Sequence, residues 1–482
     1  MTTGKITAWV VCLMVASLMP ASGQDVSVST SHESSTSTNG KQTYRWSRSG
    51  VMTDFTIELR GKIELTDDDK DIKSISNDGY LEISKTVFGS KRSIVIESLG
   101  DGKVKKEYYE GRSKMPWEPN GKTWLAEILP EVVRSSTIGA ESRVNRFFKK
   151  GGARAVLAEI ENLKSDHVAA HYANLLMNRP VPPNDYALII GGVSGKVDSD
   201  HYIAAFLQKH AGKFMQQKGA TTAFFNATKK MDSDHYKTNV ISSALKDYQG
   251  PSENLKIALQ TAAEMDSDHY ITEVLTALLK QSNLTDDTLT ELINTTKAVE
   301  SDHYRTVVLT RALDRPGLSD ASHKRLLESV KGMSSDHYIT QVIQHLMDNK
   351  LSANAMTDLM GVLSSIGSDH YRTEVLTKII ERQDLGEEHF TKVLSACGDM
   401  SSDHYKTVVL IKVMSKNVSQ NALLQVLNST DEINSDHYVT EVLLSAAPRV
   451  KNGNDAIKNA YRQSAKNISS ETYYGRALRA IE

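Results

Sequence analysis

Cysteine is almost absent from this chain of 482 residues, which contains only Cys12 and Cys397. Because Cys12 lies in an N-terminal segment with the features of a cleaved signal, the remaining chain would carry one thiol and no internal disulfide bond. Paired cysteines for a zinc site are missing as well. Cys397 falls in a helical pattern, where we expect a small buried apolar residue rather than a nucleophile. Stability must therefore come from packing.

No charge of one sign dominates, because 57 Lys and Arg stand against 59 Asp and Glu. No basic tract stands out either, so nucleic acid is not expected as a partner. The catalytic signatures GxSxG, GxxxxGK before Ser or Thr, and GxGxxG after a strand are also missing. We therefore predict a protein that is not an enzyme and needs no cofactor. An enzyme with an unrecognised site, in the β module described below or at its junction with the repeats, is the weaker alternative.

Long apolar runs are lacking except at the N-terminus. Lys5 is followed by a mostly apolar stretch over residues 6–19 and by the small residues Ala21-Ser22-Gly23, a pattern typical of a secretory signal. We predict a signal peptide over residues 1–23 and an exported protein, periplasmic or secreted. The alternative is a membrane anchor that stays attached, but the apolar stretch is shorter than the ~20 residues of a bilayer span. No later segment is apolar enough, which predicts no stable membrane span after cleavage.

After this segment the chain changes character twice. Residues 24–42 are rich in Ser and Thr and show no apolar period, which predicts a disordered spacer. Residues 43–115 show a period of two, as in Phe55, Ile57 and Leu59, which alternate with polar residues. Alternation of this kind is typical of half-buried strands, so we predict a small antiparallel β module.

Turn residues separate the predicted strands. Asn77-Asp78-Gly79 precedes one strand, and Gly100-Asp101-Gly102 joins two others as a hairpin. Asp67, Asp69 and Asp71 alternate in a loop that could hold Ca²⁺ through oxygen ligands. The glycine and the distal glutamate of an EF-hand loop are missing at the required offsets, so we expect a solvated acidic turn instead.

A helical pattern follows, with a predicted adaptor over residues 116–152 that ends at Gly151-Gly152, and then a repeat array over residues 153–482. In this array the tripeptide Ser-Asp-His occurs nine times at spacings of 33 or 34 residues. A period of this length in a helical sequence indicates a solenoid. The predicted fold class is therefore mainly α, an α-solenoid of about ten helix-turn-helix repeats of ~34 residues preceded by the β module. The nine copies and a degenerate tenth begin at Ser165, Ser199, Ser233, Ser267, Ser301, Ser335, Ser368, Ser402, Ser435 and Ser470.

Each motif is placed where a helix should begin. In one copy, Ser301 is predicted to be the N-cap, its hydroxyl accepting a hydrogen bond from the first turn, and Asp302 puts negative charge at the positive end of the helix dipole. Tyr304, Val308 and Leu309 then share one helix face, which we expect to be core. The fifth residue after Ser is small in all ten copies, which predicts a close approach of neighbouring helices, whereas the sixth varies freely.

The repeats have the length of tetratricopeptide repeats, but the Trp, Leu-Gly and Pro landmarks of that family are absent, so the likeness to tetratricopeptide or HEAT repeats is one of architecture only. From about Phe55 to Leu176 the chain resembles a module of uncharacterised bacterial envelope proteins, which in some of them follows a membrane metallopeptidase domain of the antibiotic-sensor type. The resemblance implies no established activity, and the absence of the HExxH motif of that peptidase argues against proteolysis. It rests on Thr66-Asp67-Asp68-Asp69, Asp78-Gly79-Tyr80-Leu81, Trp124-Leu125-Ala126-Glu127 and the Ser-Asp-His repeats.

The repeated histidines are candidates for a metal site or a pH-responsive sensor. Equivalent atoms of successive repeats should lie ~10 Å apart, too far for two of them to bind one zinc ion at ~2 Å each. We therefore favour a structural role, in which a neutral imidazole forms hydrogen bonds across the seam between repeats, to backbone or to the next Asp. The candidate metal ligands are His235, His269, His303, His337, His370, His404 and His437.

The favoured hypothesis is a protein-interaction scaffold that binds a protein or peptide partner on the solenoid surface. The freely varying sixth position after each Ser is the expected contact row, because a varied surface position can carry specificity. Oligomeric state does not follow from the pattern. The predicted partner-binding residues are Glu273, Gln341, Glu374 and Glu441.

Overall fold

The computed structural model of the chain describes residues 30–38, 41–50, 52–246 and 248–482. These belong to two compact units, Met1–Ala227 and Thr228–Glu482. The predicted signal peptide, residues 1–23, lies outside the described residues.

The first unit begins with an antiparallel sheet of seven strands in the order β1-β2-β3-β6-β7-β8-β9, and β4 and β5 form a separate pair. The strands are β1 (Thr30–Thr38), β2 (Lys41–Gly50), β3 (Thr53–Arg60), β4 (Ile63–Leu65), β5 (Ile72–Ile75), β6 (Tyr80–Val87), β7 (Ser90–Gly100), β8 (Lys103–Glu110) and β9 (Ser113–Met115).

One face of this sheet is apolar and covered. Phe55, Ile57 and Leu59 are buried while the residues between them are not, so the predicted alternation is confirmed. They share a core with Trp124 and other apolar residues of helix α1 (Lys122–Ser135). The helix contributes an apolar stripe of six residues to the sheet, which explains why the sheet needs no second sheet to bury its inner face.

The predicted disordered spacer over residues 24–42 is wrong for residues 30–38, because these form strand β1 and pair with β2 from Thr30↔Ser49 to Thr38↔Lys41. An edge strand forms through backbone hydrogen bonds and needs no apolar face of its own, so its Ser- and Thr-rich sequence carries no apolar period. The β module therefore begins before residue 43.

The predicted adaptor divides between two environments. Helix α1 belongs to the core of the sheet, and α2 (Ala140–Ile160) is interrupted at Gly151 and Gly152, whose backbone angles are not helical. The part of α2 after this break precedes the first Ser-Asp-His motif and packs on α3 (Asp166–Met177). The glycine pair thus divides α2 into two helical parts.

The acidic turn is more than a solvated loop. Asp69 accepts hydrogen bonds from Arg143, at 2.9 and 3.0 Å, and from Arg146 at 2.7 Å. Arg143 is fully buried and also donates to Glu159 and to the Tyr172 hydroxyl. Burial opposes the charged guanidinium, but Tyr172 and Asp69 outweigh it, so the pKa of Arg143 lies above its ordinary value. These ion pairs therefore attach the turn between β4 and β5 to α2.

The remaining helices of the first unit are α4 (Tyr186–Lys196), α5 (Asp200–Phe214) and α6 (Lys218–Lys229). The second unit contains α7 (Asp234–Leu245), α8 (Lys256–Ala263), α9 (Asp268–Leu279), α10 (Asp286–Thr295), α11 (Asp302–Leu313), α12 (Asp320–Lys331), α13 (Asp336–Leu346), α14 (Ala353–Met360), α15 (Asp369–Arg382), α16 (Glu387–Gly398), α17 (Asp403–Met414), α18 (Gln420–Ser429), α19 (Asp436–Lys451), α20 (Asp455–Lys466) and α21 (Glu471–Arg479).

The helices of the second unit form two layers. The odd-numbered helices α7 to α21, each of which begins directly after the Ser of a motif, pack on one another in order. The even-numbered helices α8 to α20 pack on one another in the other layer. Each layer repeats one contact from unit to unit, which is the arrangement of an α-solenoid. The predicted fold class is confirmed.

Candidate functional site

The Ser-Asp-His motif joins successive repeats through its aspartate. Oδ1 and Oδ2 of Asp336 accept hydrogen bonds from the backbone N–H groups of Gly367 and Ser368, at 3.1 and 2.7 Å, at the start of the next motif. A carboxylate thus satisfies backbone donors next to the N-terminus of the neighbouring helix, which has free N–H groups and positive partial charge. The same contact is made by Asp166 in the first unit and by Asp234, Asp268, Asp302, Asp369, Asp403 and Asp436 in the second.

The serine has a different role from the one predicted. Each motif Ser is the N-cap residue by position, with extended backbone angles. Only the hydroxyl of Ser165 accepts a hydrogen bond from the first turn, and the others whose caps are described, such as Ser267 and Ser368, form no such bond. The predicted hydroxyl cap is therefore wrong for them, and their ψ angles, 115° at Ser267 and 123° at Ser368, differ from the 150° of the capping Ser165.

The motif histidines and tyrosines of the second unit form a continuous surface stack, which we call the histidine–tyrosine ladder. Each imidazole lies between the Tyr ring of its own motif, as in His337 and Tyr338 at 5.2 Å, and that of the next, as in His337 and Tyr371 at 5.9 Å between centroids. All seven histidines are exposed and the tyrosines are half-buried. The ladder comprises His235, His269, His303, His337, His370, His404 and His437 with Tyr236, Tyr270, Tyr304, Tyr338, Tyr371, Tyr405, Tyr438 and Tyr473.

Two predictions about these rings are wrong. Tyr304 and its equivalents were expected in the core with Val308 and Leu309, but only the two aliphatic residues are fully buried. Within the described part of the chain, none of the seven histidines forms a hydrogen bond to backbone or to the next Asp. Instead, Nδ1 of His337 lies 3.5 Å from the hydroxyl of Tyr371, an exposed contact. Edge-to-face and tilted rings at these separations attract one another weakly.

The predicted contact row lies beside the ladder. Gln341 Nε2 is 3.0 Å from His337 Nε2, and Glu273 and Glu374 approach the histidine one helical turn earlier, at 3.7 and 3.3 Å. Glu273 and Gln341 are exposed, while Glu374 and Glu441 are half-exposed. Glu374 also accepts from the Gln344 amide, and Glu441 pairs with Arg476 at 3.2 Å. The structure thus brings the predicted partner-binding residues and the candidate metal ligands onto one surface.

The ladder does not collect its histidines into a shared site. A tyrosine ring separates each imidazole from the next, and no group of three or more His, Cys, Asp or Glu side chains that could hold a metal ion occurs among the described residues. Among the ladder histidines, His269 and His370 approach a carboxylate, that of Glu273 and of Glu374.

Buried cations were missed by the sequence interpretation. Arg305 and Arg372, four residues after their motif Ser, are buried and donate to the carbonyl oxygens of Val299 and Ile366 just before the motif. Lys237 and Lys406 occupy the same position, which carries Ile or Val in the other repeats except for Ala in the first and Tyr in the last. A repeat position that is mostly apolar but carries a basic residue in some copies is the sequence signal that could have located them. They brace the turn that presents the motif.

Cys397 is buried, and burial raises the pKa of its thiol to about 12. A thiol with that pKa is almost entirely protonated at neutral pH, so it is not an activated nucleophile. The expectation of a buried, small apolar residue is confirmed.

No helix among the described residues is long and apolar enough to span a bilayer. No protein-family model and no curated protein matches the chain. Among solved structures, it is matched to one from work titled "Computational Design of Self-Assembling Cyclic Protein Homooligomers", with 11% identity over 66% of this chain and 93% of that one. The TM-score of 0.12 is too low for this likeness to carry an argument.

Proposed function

We propose that the chain is an exported binding scaffold that holds a protein or peptide partner along the histidine–tyrosine ladder and the row beside it. The observation that carries the proposal is a surface with one constant and one variable element. The constant element is the ladder, which repeats the same ring geometry through seven histidines. The variable element is the sixth residue after each Ser.

The constant element is held firmly. Each motif is tied to the next by two backbone-to-carboxylate hydrogen bonds, and the small fifth residue is buried in every copy of the second unit up to Thr440. Exposed His and half-buried Tyr rings present flat surface with polar atoms at the edge, a combination that suits a partner interface. Because these rings are ordered before binding, a partner would lose less entropy in ordering them.

The variable element has a chemical bias. In the seven repeats that begin at Ser233 to Ser435 it contains three carboxylates, two amides and two valines, and the degenerate last repeat carries Arg476 there, which pairs with Glu441. We infer that the partner presents positively charged or amide groups to this row, since carboxylates beside a low-polarity ring surface favour such groups. The row consists of Asn239, Glu273, Val307, Gln341, Glu374, Val408 and Glu441.

The test is site-specific crosslinking in the cells that make the protein. A photoreactive residue at Gln341 should capture the same partner as one at Glu273, whereas one at Thr357, exposed on α14 in the other layer, should not. The triple variant Glu273→Lys, Glu374→Lys and Glu441→Lys should abolish capture of the partner by the photoreactive residue at position 341. The charge-matched control Asp287→Lys, Asp384→Lys and Glu388→Lys, at exposed positions outside the row, should not. Equal capture from Gln341 and Thr357 would contradict the proposed face.

Export is part of the proposal and is supported by the signal-like pattern over residues 1–23. N-terminal sequencing of the protein isolated from its own cells should begin at or close to Gln24. An N-terminus that still includes the apolar stretch over residues 6–19 would contradict cleavage.

A metal-binding or pH-responsive sensor is the second candidate, favoured by the pairs His269–Glu273 and His370–Glu374. A carboxylate one helical turn from an exposed imidazole can share a metal ion with it. Zinc titration by calorimetry should then give two sites per chain. The double variant Glu273→Gln and Glu374→Gln should remove both, and an absence of stoichiometric uptake would eliminate metal sensing.

A further inference from the structure

Three of the six exposed large apolar side chains in the described part of the chain lie together at one end of the sheet. Met52 is 59% exposed, Phe88 76% and Val87 37%. The backbone N–H of Phe88 donates to the Met52 carbonyl oxygen at 2.9 Å, so the β2–β3 and β6–β7 turns touch. We call Met52, Val87 and Phe88 the apolar tip.

The exposed apolar side chains of the tip do not contribute to the stability of the folded chain in a way that would explain them. Phe88 has a φ of +48° and is followed by Gly89 at +79° in a two-residue hairpin turn. This turn favours Asn, Asp or Gly at its first position, because a bulky side chain is strained at positive φ. The other described non-glycine residues with positive φ are all aspartates, Asp69, Asp78 and Asp101. A strained aromatic ring that is three-quarters exposed gains little from folding, which suggests that it contacts something outside the chain.

Positive charge surrounds the apolar tip. In an antiparallel sheet, the β2–β3, β6–β7 and β8–β9 turns lie at the same end. Near these turns four exposed cations stand against three exposed carboxylates, Asp54, Glu110 and Glu127, and within the described residues these cations form no ion pair. The cations are Arg48, Lys91, Arg92 and Arg112. The turns at the other end carry the exposed aspartates Asp78 and Asp101 together with the exposed lysines Lys62 and Lys103.

The chain also enters the sheet at the basic end. Thr30, the first residue of β1, is paired with Ser49, the last residue but one of β2. The sequence before it includes the apolar stretch over residues 6–19. The described chain therefore begins at the end of the sheet that carries the apolar tip.

We propose that this end of the β module binds the surface of a lipid bilayer with anionic headgroups. Met52 and Phe88 enter the headgroup region, where apolar and aromatic side chains are stabilised, and the surrounding Lys and Arg residues attract the anionic lipids. The contact is peripheral, with no spanning segment. It uses residues distant in sequence from the ladder and does not depend on the proposed scaffold function.

The first experiment measures co-sedimentation of the full chain with vesicles that contain 30% phosphatidylglycerol in phosphatidylcholine. Phe88→Asn should reduce the bound fraction about tenfold, since the apolar area of one aromatic ring is lost. Because Asn-Gly is a favoured sequence for this turn, the variant should unfold at the same temperature as the wild type or higher. Leu99→Asn, which replaces a residue 64% exposed near the other end of the sheet, is the matched control and should bind as the wild type does.

The second experiment locates the contact. Tryptophan fluorescence of Phe88→Trp should be quenched by vesicles of brominated lipid, beyond the quenching seen in the wild type, whereas Leu99→Trp should show no excess. Lys91→Glu with Arg112→Glu should weaken binding to the anionic vesicles at low salt. Equal binding by wild type and Phe88→Asn, or equal quenching at positions 88 and 99, would overturn the proposal. So would an absence of binding by the wild type, which would leave a protein surface as the alternative occupant of the tip.

Discussion

At the scale of single residues, the aspartate of the Ser-Asp-His motif is the group that most directly connects neighbouring repeats. Each carboxylate accepts two backbone hydrogen bonds from the next repeat, as Asp336 does from Gly367 and Ser368. The two donors have no partner within their own helix, because the first N–H groups of an α-helix lack one. Removing the carboxylate therefore leaves donors unsatisfied on a neighbouring repeat.

Asp336→Ala should lower the free energy of unfolding by about 1–3 kcal/mol, the range for polar groups left without a partner. Asp336→Asn should cost less, since its amide oxygen can still accept from one N–H group. Asp358→Ala on α14, which removes a carboxylate with no hydrogen bond to any described residue, is the control. Urea denaturation followed by circular dichroism measures all three, and equal stability of Asp336→Ala and Asp358→Ala would contradict the role assigned to the motif aspartate.

A buried histidine outside the ladder should make stability depend on pH. His210 is 5% exposed and its Nε2 lies 2.9 Å from Asn174 Oδ1. Burial, with Lys209 and Lys213 nearby, lowers its pKa from 6.5 to about 4. Between these values the unfolded chain binds more protons than the folded one, so stability falls as pH falls.

The loss attributable to His210 should begin near pH 6.5 and reach about 3 kcal/mol near pH 4. His210→Gln removes the titrating group while keeping a hydrogen-bond donor for Asn174. The difference in unfolding free energy between wild type and variant, measured from pH 7 to pH 4, should therefore change in favour of the variant as the pH is lowered. A difference that does not change with pH would show that the pKa of His210 is the same in the folded and the unfolded chain, which would contradict the prediction.

At the scale of elements, the two helix layers begin in different ways. Five of the seven even-numbered helices from α8 to α20, all but α8 and α16, use side-chain caps. The Ser352 hydroxyl, for example, accepts from Ala355 N and donates to Asp320 at 2.6 Å. Hydrogen bonds from Ser352 and Asn354 lower the pKa of Asp320. The motif helices, with their Ser hydroxyls unused as caps in the second unit, rely on the carboxylate of the preceding repeat instead.

This difference gives a matched pair of serine substitutions. Ser352→Ala should destabilise the protein by about 1 kcal/mol, the usual cost of losing a side-chain cap. Ser368→Ala should cost less than about 0.5 kcal/mol, because the backbone N–H of residue 368 still donates to Asp336. Thermal unfolding of the two variants measures this difference in stability. A larger loss of stability for Ser368→Ala than for Ser352→Ala would support the hydroxyl cap that the sequence predicted.

At the scale of the whole molecule, the repeated contacts of the second unit make its stability a sum of local terms. Each motif helix packs on the motif helices before and after it, as α15 does on α13 and α17. Stability in such an array depends on each repeat and on its interfaces with the nearest neighbours. A defect in one repeat should therefore spread only a short distance.

Leu376→Ala, at a fully buried position of α15, should cost 2–5 kcal/mol locally, as is typical of a large-to-small core substitution. Hydrogen–deuterium exchange followed by mass spectrometry should show faster exchange in α13, α15 and α17 and little change in α9. Thr357→Ala, at an exposed position, is the control. Uniformly faster exchange throughout the second unit would indicate a single cooperative fold instead.

Local pattern alone determined much of this architecture. The period of 33 or 34 residues, the helix starts after each motif Ser and the alternation of Phe55, Ile57 and Leu59 were all readable in the sequence. They could be predicted because helix periodicity, strand alternation and turn residues act over a few positions along the chain. The varied row beside the ladder was found for the same reason, since surface positions of a helix tolerate many residue types.

Contacts between repeats were decided only by the tertiary structure. Whether the motif Ser caps its own helix, whether Tyr304 faces the core or the surface, and which groups the histidines meet depend on atoms about one repeat away in the chain. The pairing of β1 likewise depends on β2, whose backbone supplies the partners that its polar side chains do not require. Local sequence sets which side chains an element presents, but the neighbouring element sets which of their hydrogen bonds and ring contacts form.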